Sequence, residues 1–299
     1  MTALASTFQN INSNIRTRLR LYWSLIKSLQ TGLLLLTGLA GYMSARCPVT
    51  TWQTLLGLTG SLFLAISGST VLNMWYDRDI DANMGRTAKR PFPSGQVSPR
   101  EGLIFGLALS LLGVGWAVAL DPLYGLIVFA GIFFDVVIYT IWLKRRTPWG
   151  IVLGGLAGGM PILAGRVLGI GHIDWIGLLL ALAILFWIPT HILTFTMRYY
   201  EDYKRAGIPT FPSSYGFRAT RMIIAFSSIA AALMIAAAAI GIGMDWGYLR
   251  FLGVLSTGLF FLAIFAVTRP SKRMNFGLFK YASLYMLSSM LLLVVDAVG

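Results

Sequence analysis

The stretch Val71–Gly95, VLNMWYDRDIDANMGRTAKRPFPSG, determines how the rest of this chain is interpreted. It begins as the end of an apolar segment and then places Asn73, Asp77 and Asp81 at steps of four residues. On an α-helix this spacing brings the three side chains onto one face. Amide and carboxylate oxygens are ligands that Mg²⁺ prefers, and a substrate phosphate can complete its shell. The spacing therefore predicts a magnesium site at a helix end.

Basic residues follow these acids directly. Arg86, Lys89 and Arg90 stand within the next ten positions, just before Pro91 and Pro93. Acids that hold a metal beside bases that hold phosphate predict a site for a metal-bound diphosphate. A solvated helix end rich in charge is the alternative that this pattern alone leaves open.

The composition is that of a membrane protein. Of 299 residues, 57% are hydrophobic and 12% are charged. The formal net charge of +13 would suggest nucleic acid as a partner of a soluble protein. Here the charges stand in short loops between apolar segments, so we expect lipid headgroups and a phosphorylated substrate as partners, and no nucleic acid.

The apolar segments predict an all-α polytopic membrane protein with nine transmembrane helices around one central cavity. We expect residues 1–22 to form a cytoplasmic N-terminal arm and residues 23–299 to form a single transmembrane domain. The predicted spans are 23–45, 54–76, 101–119, 122–142, 150–171, 175–197, 219–242, 248–267 and 278–296.

The basic residues predict the orientation of these spans. With a cytoplasmic N-terminus, all but three of the 24 Lys and Arg residues fall on the cytoplasmic side. The exceptions are Arg46, Arg166 and Arg250. Because cytoplasmic loops of membrane proteins are enriched in Lys and Arg, the chain is predicted to run from a cytoplasmic N-terminus to an external C-terminus.

A second polar segment, residues 198–216, follows the sixth span and reads RYYEDYKRAGIPTFPSSYG. It repeats the order of the first: acids at Glu201 and Asp202, a base at Lys204, then prolines, Ser and Gly. Four spans separate the two segments, so both face the same side of the membrane. We expect them to meet over one cavity, as in a parallel repeat.

Several polar side chains lie within or at the ends of the predicted spans. His191, Arg198 and Asp202 would share one stripe if their helix continues that far. Ionisable groups at such depth usually face the interior of a helix bundle. A buried histidine bonded to a neighbouring helix is an equally good interpretation of His191. On the fourth span the corresponding candidates are Asp135, Tyr139 and Lys144, and a protonated, hydrogen-bonded acid is the alternative for Asp135.

The two polar segments resemble those of the UbiA superfamily of intramembrane prenyltransferases, and the resemblance extends from about residue 20 to residue 296. The first motif matches in Asn73-x₃-Asp77-x₃-Asp81, Arg86 and Arg90-Pro91, and the second in Glu201-Asp202-Tyr203 and Ala206-Gly207-Ile208-Pro209. Within the superfamily, Tyr139-Thr-x-Trp-Leu-Lys144 and Trp187-x-Pro-x-His191 are most similar to the branch that farnesylates protoheme IX.

The chain also departs from that branch. Residues 160–166 read MPILAGR where paired prolines and Gly-Trp are typical, and Lys27-Ser28 replaces a usual Lys-Pro. Arg198 stands where many superfamily members carry a second aspartate. The acceptor therefore stays open between heme and another lipophilic molecule, such as a glycerol-phosphate ether lipid or a quinone precursor.

The resemblance implies Mg²⁺-dependent transfer of a prenyl group from its diphosphate to a lipophilic acceptor, with the active site at the cytoplasmic side of the cell membrane. It implies Asp77, Asp81 and Asp202 as catalytic residues, and the same three with Asn73 as metal ligands. The implied substrate-binding residues are Arg86, Lys89, Arg90, Tyr139, Lys144, His191, Arg198, Glu201 and Lys204. A transporter of a phosphorylated or cationic solute is the other class, but its acids would be expected near the membrane midplane.

Overall fold

The computed structural model describes residues 16–46 and 51–298, which form only helices and connecting loops. The first helix, α1, covers 16–25. The others are α2 Ser28–Ser44, α3 Trp52–Tyr76, α4 Arg78–Ala82, α5 Pro99–Leu120, α6 Pro122–Leu143, α7 Gly150–Ile170, α8 Trp175–Arg198, α9 Tyr200–Arg205, α10 Phe211–Ile242, α11 Trp246–Thr268 and α12 Lys272–Val298.

In the described part of the chain, eight helices have the length and composition needed to cross a membrane: α3, α5, α6, α7, α8, α10, α11 and α12. They match eight of the nine predicted spans. Only 22% of the residues in the most apolar part of α5, and likewise of α11, are buried inside the protein. Apolar side chains that face outward in this way are suited to lipid rather than water.

The first predicted span, 23–45, differs from the structure. The chain turns at Lys27, whose φ of 44° and ψ of 59° lie in the left-handed region, and this turn separates α1 from α2. With 17 residues, α2 is about 26 Å long, somewhat less than the ~30 Å hydrocarbon core. The predicted total of nine spans is therefore not confirmed. The predicted boundary between arm and domain, at residue 22, falls within α1.

Two further helix boundaries depart from the predicted ones for local reasons. Residues 211–218, predicted as loop, begin α10, because Thr210 and Ser213 cap its first turn through reciprocal side-chain hydrogen bonds. Gly216, with a φ of 79°, then kinks that helix. Likewise α12 begins at Lys272, six residues before the predicted 278, where Ser271 Oγ accepts a hydrogen bond from the Met274 amide at 3.0 Å.

Close packing of α2 on α7 brings the helices together around the bundle centre. A Cβ atom on Gly165 would overlap the carbonyl oxygen of Gly38, and one on Gly41 would overlap that of Ile162. Small residues permit such an approach between membrane helices. Six helices, α2, α3, α6, α7, α8 and α12, line a central cavity of about 530 Å³. The predicted central cavity is thus present.

Candidate active site

The acids of the first polar segment lie where α3 ends. Asp77 follows the last residue of α3, and Asp81 stands in the short α4. The Asp77 amide donates to the Asn73 carbonyl at 2.9 Å, and the Asp81 amide donates to the Asp77 carbonyl at 2.8 Å. Helical hydrogen bonding thus continues through the junction, so Asn73, Asp77 and Asp81 keep the spacing of one helix face, as predicted.

Each buried acid of this segment contacts a cation. Asp77 and Asp81 are both only 5% exposed. The Lys144 ammonium donates to Asp77 Oδ2, and Arg90 Nη1 donates to Asp81 Oδ2 at 2.7 Å. The structure thus places two bases that were predicted to hold phosphate directly against two acids that were predicted to hold metal.

The exposed acid between them behaves differently. Arg145 binds Asp79 through two hydrogen bonds: Nη1 donates to Oδ2 and Nη2 donates to Oδ1, each at 2.7 Å. The Arg145 guanidinium holds the pKa of the Asp79 carboxyl below its usual value. Because Asp79 is solvated and already paired on both oxygens, it is the least suitable of the three acids for a metal or substrate.

Positive charge is concentrated at this end of the central cavity. Burial lowers the pKa of Lys144, but its attraction to Tyr139 and Asp77 outweighs burial and raises the pKa above its ordinary value. The neighbouring Lys27 lines the cavity. Burial, assisted by the charges of Arg90 and Lys144, lowers its pKa to about 8. This arrangement suits an anion that carries several negative charges.

The donor set fits a hard divalent cation. Asp77 Oδ1 is buried and has no hydrogen-bond partner in the described part of the chain. Arg145 Nη2 lies 3.9 Å from this oxygen, too far for a hydrogen bond. A buried carboxylate oxygen without a hydrogen bond is costly unless a closer cation or water meets it. Among residues 16–46 and 51–298, no three His, Cys, Asp or Glu side chains converge as a ready metal site. A metal here would therefore need ligands from substrate or water, which Mg²⁺ commonly accepts.

Asn73 is held by a polar network between α3 and α6. Asp135 Oδ2 accepts hydrogen bonds from Ser69 Oγ at 2.5 Å and Asn73 Nδ2 at 2.7 Å. Thr140 Oγ1 donates to Asn73 Oδ1 at 2.7 Å. The sequence indicated Asp135 but not Ser69 or Thr140 as parts of this site. The spacing of Ser69, four residues before Asn73, was the available signal.

This network depends on an unusual helix. Residues Phe133–Leu143 of α6 form a π-helix, and the Lys144 amide continues its pattern by donating to the Tyr139 carbonyl, five residues back, at 2.8 Å. Such helices are rare and often occur at functional sites. Here the π-helix carries Asp135 and Thr140 against Asn73, and ends at the lysine that contacts Asp77.

The second polar segment lies beside the first, as predicted. The Arg86 guanidinium stacks over Phe195 at 4.8 Å and over Tyr199 at 5.5 Å, both at the end of α8. Ile80 and Met84 also pack against Ile208 in a small apolar cluster. The two segments therefore close over the same end of the bundle.

The condition under which His191, Arg198 and Asp202 would share one stripe, a helix that continues to Asp202, is not met. The helix ends at Arg198, and Tyr199, with a φ of −106° and a ψ of 31°, interrupts it before α9. Asp202 lies 3.8 Å from Arg205 and lines a second cavity, together with Arg198 and Glu201. Lys89 and Lys204 are exposed, and no ion pair among the described residues includes either one.

His191 and Tyr139 both line the central cavity, as predicted for groups that face the bundle interior. The His191 ring is stacked between Trp187 and Phe279, each centroid 4.8 Å away. Its Nδ1 lies 3.3 Å from Ser283 Oγ. The imidazole is thus fixed in orientation at the cavity wall.

The comparisons with known proteins agree with this geometry. The model of the UbiA prenyltransferase family matches residues 34–284. The chain belongs to this family. Members named protoheme IX farnesyltransferase include one from Archaeoglobus fulgidus, 40% identical over 260 residues, which cover 86% of this chain and 91% of that protein. Another, from Pyrobaculum arsenaticum, is 42% identical over 240 residues, which cover 79% of this chain and 85% of that protein.

Solved structures show the same UbiA fold. A digeranylgeranylglyceryl phosphate synthase superimposes with a TM-score of 0.79 at 20% identity, covering 94% of this chain and 99% of that one. A UbiA homologue from Archaeoglobus fulgidus, bound to GPP and Mg²⁺, superimposes with a TM-score of 0.67 at 16% identity. The match covers 91% of this chain and 99% of that one. The family match, the named relatives and the eight apolar helices together identify this UbiA-family protein as an integral membrane prenyltransferase.

Substitution of the two buried acids should reduce turnover far more than substitution of the exposed acid. We expect Asp77→Asn and Asp81→Asn each to lower turnover by roughly 100-fold or more, because each would remove a predicted carboxylate ligand of Mg²⁺. Asp79→Asn, with the same chemical change in the same segment, should stay within a few-fold of the wild type. Diphosphate release from a prenyl diphosphate measures this.

Thermal unfolding in detergent serves as the control, since Asp77→Asn leaves Lys144 without its charged partner. Near-normal turnover in either buried variant would show that the acid is not a ligand.

Proposed function

We propose that this protein is a Mg²⁺-dependent enzyme that transfers a prenyl group from its diphosphate to a heme-type acceptor. The observation that carries the proposal is the pair of buried carboxylates, Asp77 and Asp81, each against a cation. They follow Asn73, which lines a largely apolar cavity, by four and eight residues. The site thereby combines carboxylates that can hold a metal, cations that can hold a diphosphate and an apolar cavity that can hold a prenyl chain.

The ligands for the metal would be Asn73, Asp77 and Asp81, with Asp202 from the second segment only if α9 moves toward the first. When bound, Mg²⁺ supplies Lewis-acid neutralisation of the diphosphate leaving group. The structure of a UbiA homologue bound to GPP and Mg²⁺ supports the use of this metal with a prenyl diphosphate.

The cations of the site would hold the diphosphate. Lys144, Arg90 and Lys27 surround the acids, and Arg86 stands above them on Phe195. As the allylic C–O bond breaks, its electron pair passes to the diphosphate oxygen, where each nearby cation gains attraction. One unit charge at 4 Å contributes about 4 kcal/mol at an effective dielectric near 20. A few such contacts lower the barrier substantially.

The central cavity would receive the prenyl chain. Its wall contains Tyr139 and Trp187, whose aromatic faces can stabilise an allylic cation. Exclusion of water protects that cation until a carbon–carbon double bond of the acceptor attacks it. The positive charge that the new bond leaves on the acceptor is then removed by loss of a proton or by addition of a water molecule. We assign His191 to the acceptor because it lines the cavity from α8, whereas the predicted metal ligand that lines the cavity, Asn73, lies on α3.

Heme is the acceptor that the comparisons favour. Relatives at about 40% identity over most of the chain are named protoheme IX farnesyltransferases. An acceptor with a glycerol phosphate head would need an anion clamp in the cavity. Arg166 does not supply one, because its guanidinium is bound to Asp174 at 2.7 and 2.6 Å and to the Ser44 carbonyl at 2.7 Å.

Membranes that contain the protein should convert protoheme IX and farnesyl diphosphate to a farnesylated heme, identified by its mass. Chelation of Mg²⁺ with EDTA should abolish the product, and added Mg²⁺ should restore it. A parallel incubation with a native lipid extract tests the other acceptors, and one with geranylgeranyl diphosphate tests a longer prenyl donor. A prenylated quinone precursor or ether lipid, with no heme product, would refute the heme assignment.

His191→Ala tests the proposed acceptor role. We expect transfer to fall roughly tenfold or more through a weaker interaction with the acceptor, while prenyl diphosphate binding stays unchanged. His172→Ala, at an exposed histidine outside the cavity, is the matched control. Loss of prenyl diphosphate binding with acceptor affinity intact would instead place His191 in the donor site.

We further propose that the site faces the cytoplasm across the cell membrane, with an internal N-terminus and an external C-terminus. The support is the asymmetric distribution of Lys and Arg. In a Cys47→Ser background, a membrane-impermeant maleimide should label His172→Cys in intact cells but Lys89→Cys only in inverted vesicles. The opposite labelling pattern would reverse the orientation.

A further inference from the structure

A second cavity, of about 1120 Å³, lies beside the end of α8. We call it the side cavity. Its walls come from α8, α9 and α10, from the loop after α11, and from the first two turns of α12. Neither Asp77 nor Asp81 lines it, although Arg198, Glu201 and Asp202 of the second polar segment do.

Four cations line the side cavity: Arg198, Arg221, Lys272 and Arg273. In the part of the chain that the structure describes, no carboxylate lies within 4.0 Å of any of them. Two carboxylates, Glu201 and Asp202, also line the cavity, which leaves the lining with two excess positive charges. The cavity therefore attracts anions.

The placement of Lys272 and Arg273 is unfavourable for the helix that carries them. Both stand in the first turn of α12, which contains no acidic residue. The positive end of a helix dipole repels cations and attracts anions. An anion bound in the cavity would be attracted both by the N-terminus of α12 and by the two basic side chains. It would also explain why bases occupy a first turn in which acids are normally more stable.

The floor of the side cavity is aromatic. Phe195, Phe276 and Phe279 line it, and the Arg198 guanidinium lies over the Phe276 ring at 4.2 Å. Asn275 Nδ2 donates to the Thr194 carbonyl at 3.0 Å, which joins this turn of α12 to α8. A basic rim above an aromatic floor is complementary to an amphiphile rather than to a free inorganic ion.

The side cavity is separated from the active site by single side chains. Phe279 lines the side cavity and stacks on His191, which lines the central cavity. Phe195 likewise lines the side cavity and carries Arg86 of the first polar segment. A molecule held in the side cavity thus contacts the same aromatic groups that border the prenyl site.

We propose that the side cavity binds the anionic head of an amphiphile, a carboxylate or a phosphate, with the apolar part of that molecule against the aromatic floor. Two sources supply this chemistry: the propionate groups of a porphyrin acceptor and the phosphate of a membrane lipid. The acceptor source rests on the proposed function, whereas the lipid source does not.

The test variant is the double substitution Lys272→Gln and Arg273→Gln in the full chain, purified in detergent and in lipid nanodiscs. The matched control is Arg269→Gln, an exposed cation of the same loop that does not line the cavity. Thermal unfolding establishes that both variants are folded. Neither substitution touches the residues assigned to catalysis.

Two binding measurements distinguish the sources, and neither needs turnover. The first titrates protoheme IX and its dimethyl ester by visible absorbance. If propionates bind, the double variant should bind the free acid roughly tenfold more weakly and the ester unchanged. The second measures retention of phosphatidylglycerol against phosphatidylcholine by native mass spectrometry. If lipid phosphate binds, the double variant alone should lose its retained phosphatidylglycerol.

Either selective loss supports the side cavity as an anion site and identifies the source. The proposal is overturned if the double variant matches the wild type in both measurements, or if Arg269→Gln causes an equal loss, since diffuse surface charge would then explain the binding. Failure of the proposed function has a different signature: the wild type would form no farnesylated heme, whatever the lipid measurement shows.

Discussion

The burial of Asp77 and Asp81 is the constraint on which the rest of the site depends. Two carboxylates that are almost withdrawn from water cost several kcal/mol each unless cations compensate them. Lys144 and Arg90 supply this compensation, and in doing so they fix the end of α6 and the loop after α4 against the end of α3. The ion pairs are therefore structural in the free protein, and their members are the groups that the proposed reaction needs.

The π-helix in α6 extends this constraint toward the membrane centre. In a π-helix each amide donates to the carbonyl five residues back, so residues five apart lie on the same side of the helix. Asp135 and Thr140 are five apart, and both form hydrogen bonds with Asn73. A buried polar network that is fully bonded fixes the orientation of its members. Asn73 is thereby held in position for the acids one turn further along, and the central cavity receives a wall that combines polar and aromatic groups.

Local properties of the chain could be predicted from the sequence. The length of the apolar segments placed eight spanning helices to within a few residues, except where capping extends α10 and α12. The four-residue spacing placed Asn73, Asp77 and Asp81 on one helix face, and the parallel arrangement of two polar segments placed them side by side. These features follow from helix geometry and hydrophobicity, which act over short stretches of sequence.

Features that depend on contacts between distant segments were decided only by the tertiary structure. The turn at Lys27 shortens the first span, and this lysine lines the central cavity. The kink at Tyr199 turns Asp202 into the side cavity, although a continuous helix would have aligned it with His191. The pairing of Asp77 with Lys144 joins residues 67 positions apart. Such pairings have no periodicity in the sequence, because they are selected by the cost of leaving a charge without a partner in a low-dielectric interior.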